Sequence, residues 1–206
     1  MPQLPDEGYV KYRSFHTIGL PPELVQIDEI NAIRSKLWRL QLIGVYENGI
    51  GFGNISTRIE APNSEGKFVI SGTQTGHYPV LEARHYATVT GYNITQNTVS
   101  CRGMVKASSE ALTHAAVYEA DNTCRVVIHI HHLPTWQERL HQLPTTQADV
   151  PYGTPEMANE ILRLFRQSDL PQTKVLVMAG HPEGLIAFGT SGAEAYSLLM
   201  AQIVGV

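Results

Sequence analysis

Cysteine is scarce. Cys101 and Cys124 are the only two in 206 residues, too few for a disulfide framework, so a reducing cytoplasm is the expected location. Charge is scarce too. Asp, Glu, Lys and Arg make up 17% of the chain, against about 25% in an average soluble domain. A surface so short of charge is expected to be partly covered, most simply by further copies of the chain. The 15 Lys and Arg are scattered and the formal net charge is −4, which excludes the basic footprint of a nucleic-acid binder. No apolar run approaches the ~20 residues that span a bilayer. The opening MPQLPDEGYVKYRSF has no basic stretch followed by an apolar one. Neither a membrane partner nor a signal peptide is expected. Internal repeats and low-complexity tracts are absent as well. Hydrophobic residues at 43% suffice, at this length, for a core that forms without disulfide or metal.

The pattern along the chain alternates helix and strand. Residues 1–23, with four prolines, form an extended arm, and residues 24–206 form one α/β domain. Ile27, Ile30, Ile33, Leu37 and Leu40 recur at helical spacing and predict a helix of about 20 residues. The Gly- and Asn-rich segment 47–56 is a turn. Strands follow at 56–60 and 67–71, with PNSEG as the hairpin loop between them, then at 86–94 and in TVSCR. Ser108-Ser109-Glu110 opens an Ala-rich helix ending near Ala120, with serine as the preferred N-cap. RVVIHIHH is a strand and TWQERLHQL a short helix. Residues 154–167 form a helix with Pro155 near its first position. KVLVMAG and GLIAFG are strands, and a C-terminal helix starts at Ser191.

Nine histidines are present, three of them within 129–132. Residues two apart in a strand share a face, so His129 and His131 point together while Ile128 and Ile130 face the core. Two adjacent imidazoles suit one divalent ion, at about 2.0–2.1 Å each for zinc. They also occur as a polar pair on a solvated sheet face. Catalytic zinc sites keep three protein ligands and an open position. His181, ending the strand KVLVMAG before a turn, is either a third ligand or a turn residue. His132 lies on the opposite face and is structural or exposed. His16, His77, His85 and His141 have no partner pattern and are assigned to the surface.

Six short motifs occur in order: GNISTR (53–58), SGTQTG (71–76), SSEALTHAAVYEA (108–120), HIH (129–131), PYGTPEMA (151–158) and GHPEGLIAFGTSGAEA (180–195). Together they resemble the class II aldolase/adducin family, from about residue 24 to the end. The resemblance implies a single-domain α/β/α fold with a central, largely antiparallel sheet, assembled as a homotetramer. It implies Zn²⁺, or another divalent transition metal, on His129, His131 and His181, with Glu110 as the acid/base. Imidazole ligands also suit Fe, Ni, Cu or Co. It implies an anion site for a substrate phosphate built from Gly53, Asn54, Ser71, Gly72, Ser108 and Ser109, where backbone N–H groups and hydroxyls replace a cationic side chain. His114, one turn after Glu110, matches a family histidine that supports the site.

The implied function is a metal-dependent lyase of the aldol-cleavage type. It would act on a small, phosphorylated keto-sugar or related carbonyl compound through a metal-stabilised enediolate. Departures from the family pattern bear on the reaction. Residues 132–150 contain no tyrosine, where the sugar-phosphate aldolases supply one for protonation. Tyr152 matches a recurrent position but not the catalytic tyrosine, so the second proton-transfer group is unassigned. HPEG replaces the more frequent HG, and Glu183 is expected to face solvent. A dehydratase or decarboxylase of the same family, a zinc-hydroxide hydrolase, and a non-catalytic adducin-like assembly module are the alternatives.

Overall fold

The structure is a computed structural model that describes residues 9–59 and 66–205. Most of the expected PNSEG loop, the first eight residues of the arm and Val206 lie outside the described residues. The elements run β1 (Arg13–Ile18), α1 (Leu24–Arg39), β2 (Gly44–Val45), β3 (Gly51–Phe52), β4 (Asn54–Arg58), β5 (Phe68–Ser71), β6 (Tyr86–Asn93), β7 (Thr98–Gly103), α2 (Ala111–Ala120), β8 (Val126–His131), α3 (Leu133–Arg139), α4 (Pro155–Gln167), α5 (Leu170–Thr173), β9 (Val175–Val177), β10 (Gly184–Gly189) and α6 (Gly192–Met200). Eight strands form one sheet in the order β1-β7-β6-β5-β4-β8-β10-β9. Only the β1–β7 pair is parallel; every other neighbour in this sheet is antiparallel. The arm thus carries an edge strand of the sheet.

Both sheet faces are covered, because β5, β8, β9 and β10 each alternate two apolar sets. Phe68, Ile70, Val127, Ile186 and Phe188 pack against Leu112, Ala115 and Ala116 of α2 and Met157, Ile161 and Leu164 of α4. Ile55, Val69, Val126, Ile128, Ile130 and Leu185 pack on the other face against Ile27, Ile30, Ile33 and Leu37 of α1 and Ala195 and Leu199 of α6. Burying one such aliphatic side chain contributes roughly 1.5–3 kcal/mol. The architecture is therefore α/β/α around a largely antiparallel sheet, as the motifs imply.

Local signals set the helix starts. At α1, Gln26 Oε1 accepts from the Glu23 N–H at 3.1 Å, half of a capping box. At α4 the Thr154 hydroxyl accepts from the Met157 N–H at 3.3 Å, with Pro155 at the first position. At α2 the expected serine cap is not what forms. The helix begins at Ala111 with Glu110 in the cap position and no side-chain cap. Ser108 instead accepts from the Glu110 N–H through its hydroxyl, at 3.3 Å, and from the Ala111 N–H through its carbonyl, at 3.0 Å. The Glu110 carboxylate is thereby left to point away from its own helix.

Segment 47–56 is not one turn. Val45 pairs with Gly51 and Gly44 with Phe52 in a two-residue ladder, and β4 starts at Asn54. The expected strand KVLVMAG shortens to Val175–Val177, because Met178 to Gly184 fold into a tight loop.

Candidate functional site

Strand pairing assembles the site. β4 places Asn54 opposite His129, and β10 places Ile186 opposite His129 and Gly184 opposite His131. His129 and His131 share the sheet face that α2 and α4 cover, so they are 0% and 4% exposed rather than solvated. The Met178–Gly184 loop is closed by His181 N–H to Met178 O at 3.1 Å and Gly184 N–H to His181 O at 2.9 Å. It brings His181, also buried, over β8. Glycine is needed at 184: a Cβ there would lie 2.7 Å from His181 Cδ2 and 3.2 Å from His129 Cε1.

The three imidazoles meet through their Nε2 atoms, at 3.1 Å from His129 to His131 and 3.0 Å from His131 to His181. The far side of each strand histidine fixes its tautomer. His129 Nδ1–H donates to Leu185 O at 3.0 Å. His131 Nδ1–H donates to the Tyr46 hydroxyl at 2.6 Å, and that hydroxyl donates to Glu183 Oε2 at 2.8 Å. Both Nε2 atoms are thereby turned towards a common point. Burial pulls His131 down to about 3 and lowers His181 as well. Three buried imidazole nitrogens brought to one point are a donor set that a divalent cation satisfies by displacing their protons; together they form a group that can hold a metal ion.

Glu110 completes the cluster. Its Oε1 lies 2.9 Å from His129 Nε2 and 3.6 Å from His181 Nε2. Burial raises its pKa, but the adjacent His129 and His181 outweigh that and hold the carboxyl well below its usual value. Oε2 is buried without a hydrogen-bond partner among the described residues. A buried polar atom left open in this way marks a place where something else binds or reacts.

Of the six residues assigned to the anion site, Gly53, Asn54, Gly72, Ser108 and Ser109 line one small polar pocket, together with Gly51, Thr73, Gln74, Thr75, Gly76 and Glu110. Ser71 does not line it; its hydroxyl accepts from the Ile55 N–H at 3.2 Å and fastens β5 to β4. Glu110 is shared by the pocket and the histidine cluster, so the two are contiguous.

Several residues stand elsewhere than the sequence indicated. Glu183 does not simply face solvent: it accepts from Tyr46 and lies 3.8 Å from His131 Nδ1. His85, assigned to the surface, is buried, and its Nδ1 accepts from the Glu82 N–H at 2.9 Å. His132 caps α3, its Nδ1 2.8 Å from the Thr135 hydroxyl. The Tyr152 ring packs 4.5 Å from the His181 ring, centroid to centroid, and Lys11 Nζ lies over the Tyr152 ring, 3.9 Å from its centroid. Tyr46 was not anticipated at all. Its partner Glu183 is 137 positions away, and nothing local to ENGIGFG reveals the pairing.

His114 sits one turn beyond Glu110, with Nδ1 2.7 Å from the Ser56 hydroxyl, and burial pulls its pKa down to about 3. A free imidazole titrates near 6.5. Below that value the unfolded chain takes up a proton here that the folded chain refuses until about pH 3. Stability is therefore lost as pH falls from about 6.5 towards 3, by about 2 kcal/mol at pH 5 from this residue. Urea unfolding between about pH 7 and 5 checks it. His114→Asn is expected to remove about one proton from the pH slope.

The chain belongs to the family described as Class II Aldolase and Adducin N-terminal domain, whose model matches residues 47–202. Solved structures share the fold. An L-fuculose 1-phosphate aldolase aligns with a TM-score of 0.63 at 15% identity, over 87% of this chain and 82% of that one. A sugar-phosphate aldolase from Thermotoga maritima aligns at 0.61 and 18%, over 86% and 90%. YgbL from Klebsiella pneumoniae aligns at 0.60 and 21%, over 89% and 86%. No curated protein matches the sequence. Family membership fits a lyase with a small-molecule substrate. Among the described residues no helix is long and apolar enough to cross a membrane.

Proposed function

We propose that the protein is a metal-dependent lyase of the aldol-cleavage type acting on a small, phosphorylated keto-sugar. One observation carries this: a buried three-histidine cluster and a polar, glycine-rich pocket share a single carboxylate, Glu110. His129, His131 and His181 would hold the ion, Zn²⁺ by preference. When bound, it supplies Lewis-acid polarisation of substrate carbonyl and hydroxyl oxygens.

The rest falls to the chain itself. The backbone and hydroxyls of the pocket hold the phosphate and so fix the distance from phosphate to reacting carbon. Glu110 takes and returns the proton at Oε2, the atom with no hydrogen-bond partner among the described residues. Burial of the cluster excludes water and keeps both proton and charge where they are placed. The low charge content supports a homo-oligomer, a tetramer in this reading. Two buried free cysteines support a cytoplasmic location.

The test is a purified sample analysed for metal, then offered a panel of ketose 1-phosphates with release of triose phosphate as the readout. Metal-dependent cleavage that a chelator abolishes is the expected result. Loss of water without carbon–carbon cleavage would replace the aldolase reading with the dehydratase, and release of carbon dioxide from phosphorylated keto-acids added to the panel would replace it with the decarboxylase. Failure to retain any divalent metal, with no turnover, would return the chain to the non-catalytic assembly module.

A further inference from the structure

The pocket that would take the phosphate has no cationic side chain in its lining and one carboxylate, Glu110. A dianion beside a carboxylate needs positive charge from somewhere. α1 supplies a candidate. Arg34 is 1% exposed, the largest fully buried side chain of the structure's described residues. Its guanidinium donates to three backbone carbonyls of the loop that follows β5: Thr75 O at 3.1 Å, Gly76 O at 3.4 Å, and Tyr78 O. No carboxylate pairs with it among the described residues. Burial lowers its pKa to about 10, which still leaves it charged at neutral pH. A buried guanidinium with no counter-charge is costly and calls for an explanation.

Peptide geometry supplies one. In a trans peptide the N–H points opposite to the C=O of the same plane. Arg34 holds the Thr75 carbonyl, so the Gly76 N–H of that plane points away from Arg34. Gly76 lines the pocket, and its nitrogen is 3.5 Å from where a Cβ on the facing Gly51 would stand. The N–H groups of Gln74, Thr75 and Gly76 make no hydrogen bond within the chain among the described residues. Trp38, one turn further along α1, adds a neutral donor to Gly76 O at 2.9 Å.

We propose that Arg34 is the positioning residue and counter-charge of the phosphate pocket. It turns the Thr75 and Gly76 carbonyls towards itself, aims the Gly76 N–H the opposite way, and brings a positive charge to the pocket's loop without touching the substrate. This rests on the phosphate reading above and assigns that pocket its missing cation. Nothing local to α1 announces it except one signal. Arg34 stands four residues after Ile30 and three before Leu37, inside the apolar stripe of an otherwise ordinary amphipathic helix.

Binding of inorganic phosphate to the metal-loaded protein, measured by calorimetry over a range of salt, tests it. Arg34→Gln keeps polar donors near the carbonyls but removes the charge; Arg34→Lys keeps the charge. Trp38→Phe removes only the neutral donor. Metal content and thermal unfolding establish that each variant is folded. The expected result is at least tenfold weaker phosphate binding in Arg34→Gln, with a flatter salt dependence. Arg34→Lys should stay within about threefold of wild type, as should Trp38→Phe. Equal affinity in wild type and Arg34→Gln would overturn the Arg34 assignment and leave the phosphate pocket standing. Equal loss in the Gln and Lys variants would reduce Arg34 to a structural brace. Absence of phosphate binding in the wild type would overturn the pocket reading and this inference together.

Discussion

Glu110→Gln is expected to lower turnover by about 10²–10⁴-fold, the usual worth of a positioned acid/base, while stoichiometric metal is retained. The carboxylate is 1% exposed, and one of its oxygens already faces His129 at 2.9 Å. The other has no partner among the described residues. Glutamine preserves shape and can still accept a hydrogen bond, but it cannot take a proton at that position. The loss should therefore fall on kcat, while KM should not rise, since Glu110 borders the phosphate pocket only as an opposing charge. Steady-state kinetics beside elemental analysis makes the measurement. Wild-type turnover in the variant would remove Glu110 from the chemistry and return it to a buried partner of two histidines.

The second large effect is on the metal. His129→Ala and His181→Ala are each expected to weaken divalent-metal affinity by more than 100-fold. Disturbing even an outer partner of a metal ligand costs about 10–100-fold, and here one of only three nitrogen donors is removed. Competition with a chelator of known affinity gives the number. The consequences for the metal-free protein differ between the two. His129 is the nearer partner of Glu110, at 2.9 Å against 3.6 Å for His181. Its loss strands a buried carboxylate, so His129→Ala should also unfold at a lower temperature than His181→Ala.

The H-x-H pair was legible because a strand has a side-chain period of two, and that period survives any tertiary arrangement. The fold class was legible for a related reason: helical stripes such as Ile27–Leu37 and apolar strands such as 126–131 carry their periodicity with them. What escaped depends on contacts remote in sequence. Glu183 seemed bound for solvent because nothing near HPEG shows that Tyr46 will come alongside it. His85 was placed on the surface because its partner is the backbone N–H of Glu82, inside a single 3₁₀ turn that has no apolar pattern. The serines ahead of α2 carried a true helix-start signal, but the boundary moved to Ala111 because Ser108 closes a turn first. Ser71 matches the motif, yet its hydroxyl holds the β4 backbone. A motif identifies a segment, and strand register decides which of its atoms face inward.

The small β2–β3 hairpin touches both ends of the site. On one side Gly76 of the phosphate loop lies so close to the Gly44 carbonyl that a Cβ would stand 1.9 Å from it. On the other, Tyr46 hydrogen-bonds His131, and the Phe52 ring stacks on the same imidazole with centroids 5.4 Å apart. Two ladder pairs therefore connect the place where a phosphate would sit to a side chain that would grip the ion. If phosphate and ion bind as proposed, such a connection would work as a ruler. A substrate whose charged end and reacting carbons are separated by the length it measures satisfies both ends at once. One carbon more or less would have to bend the hairpin to do so.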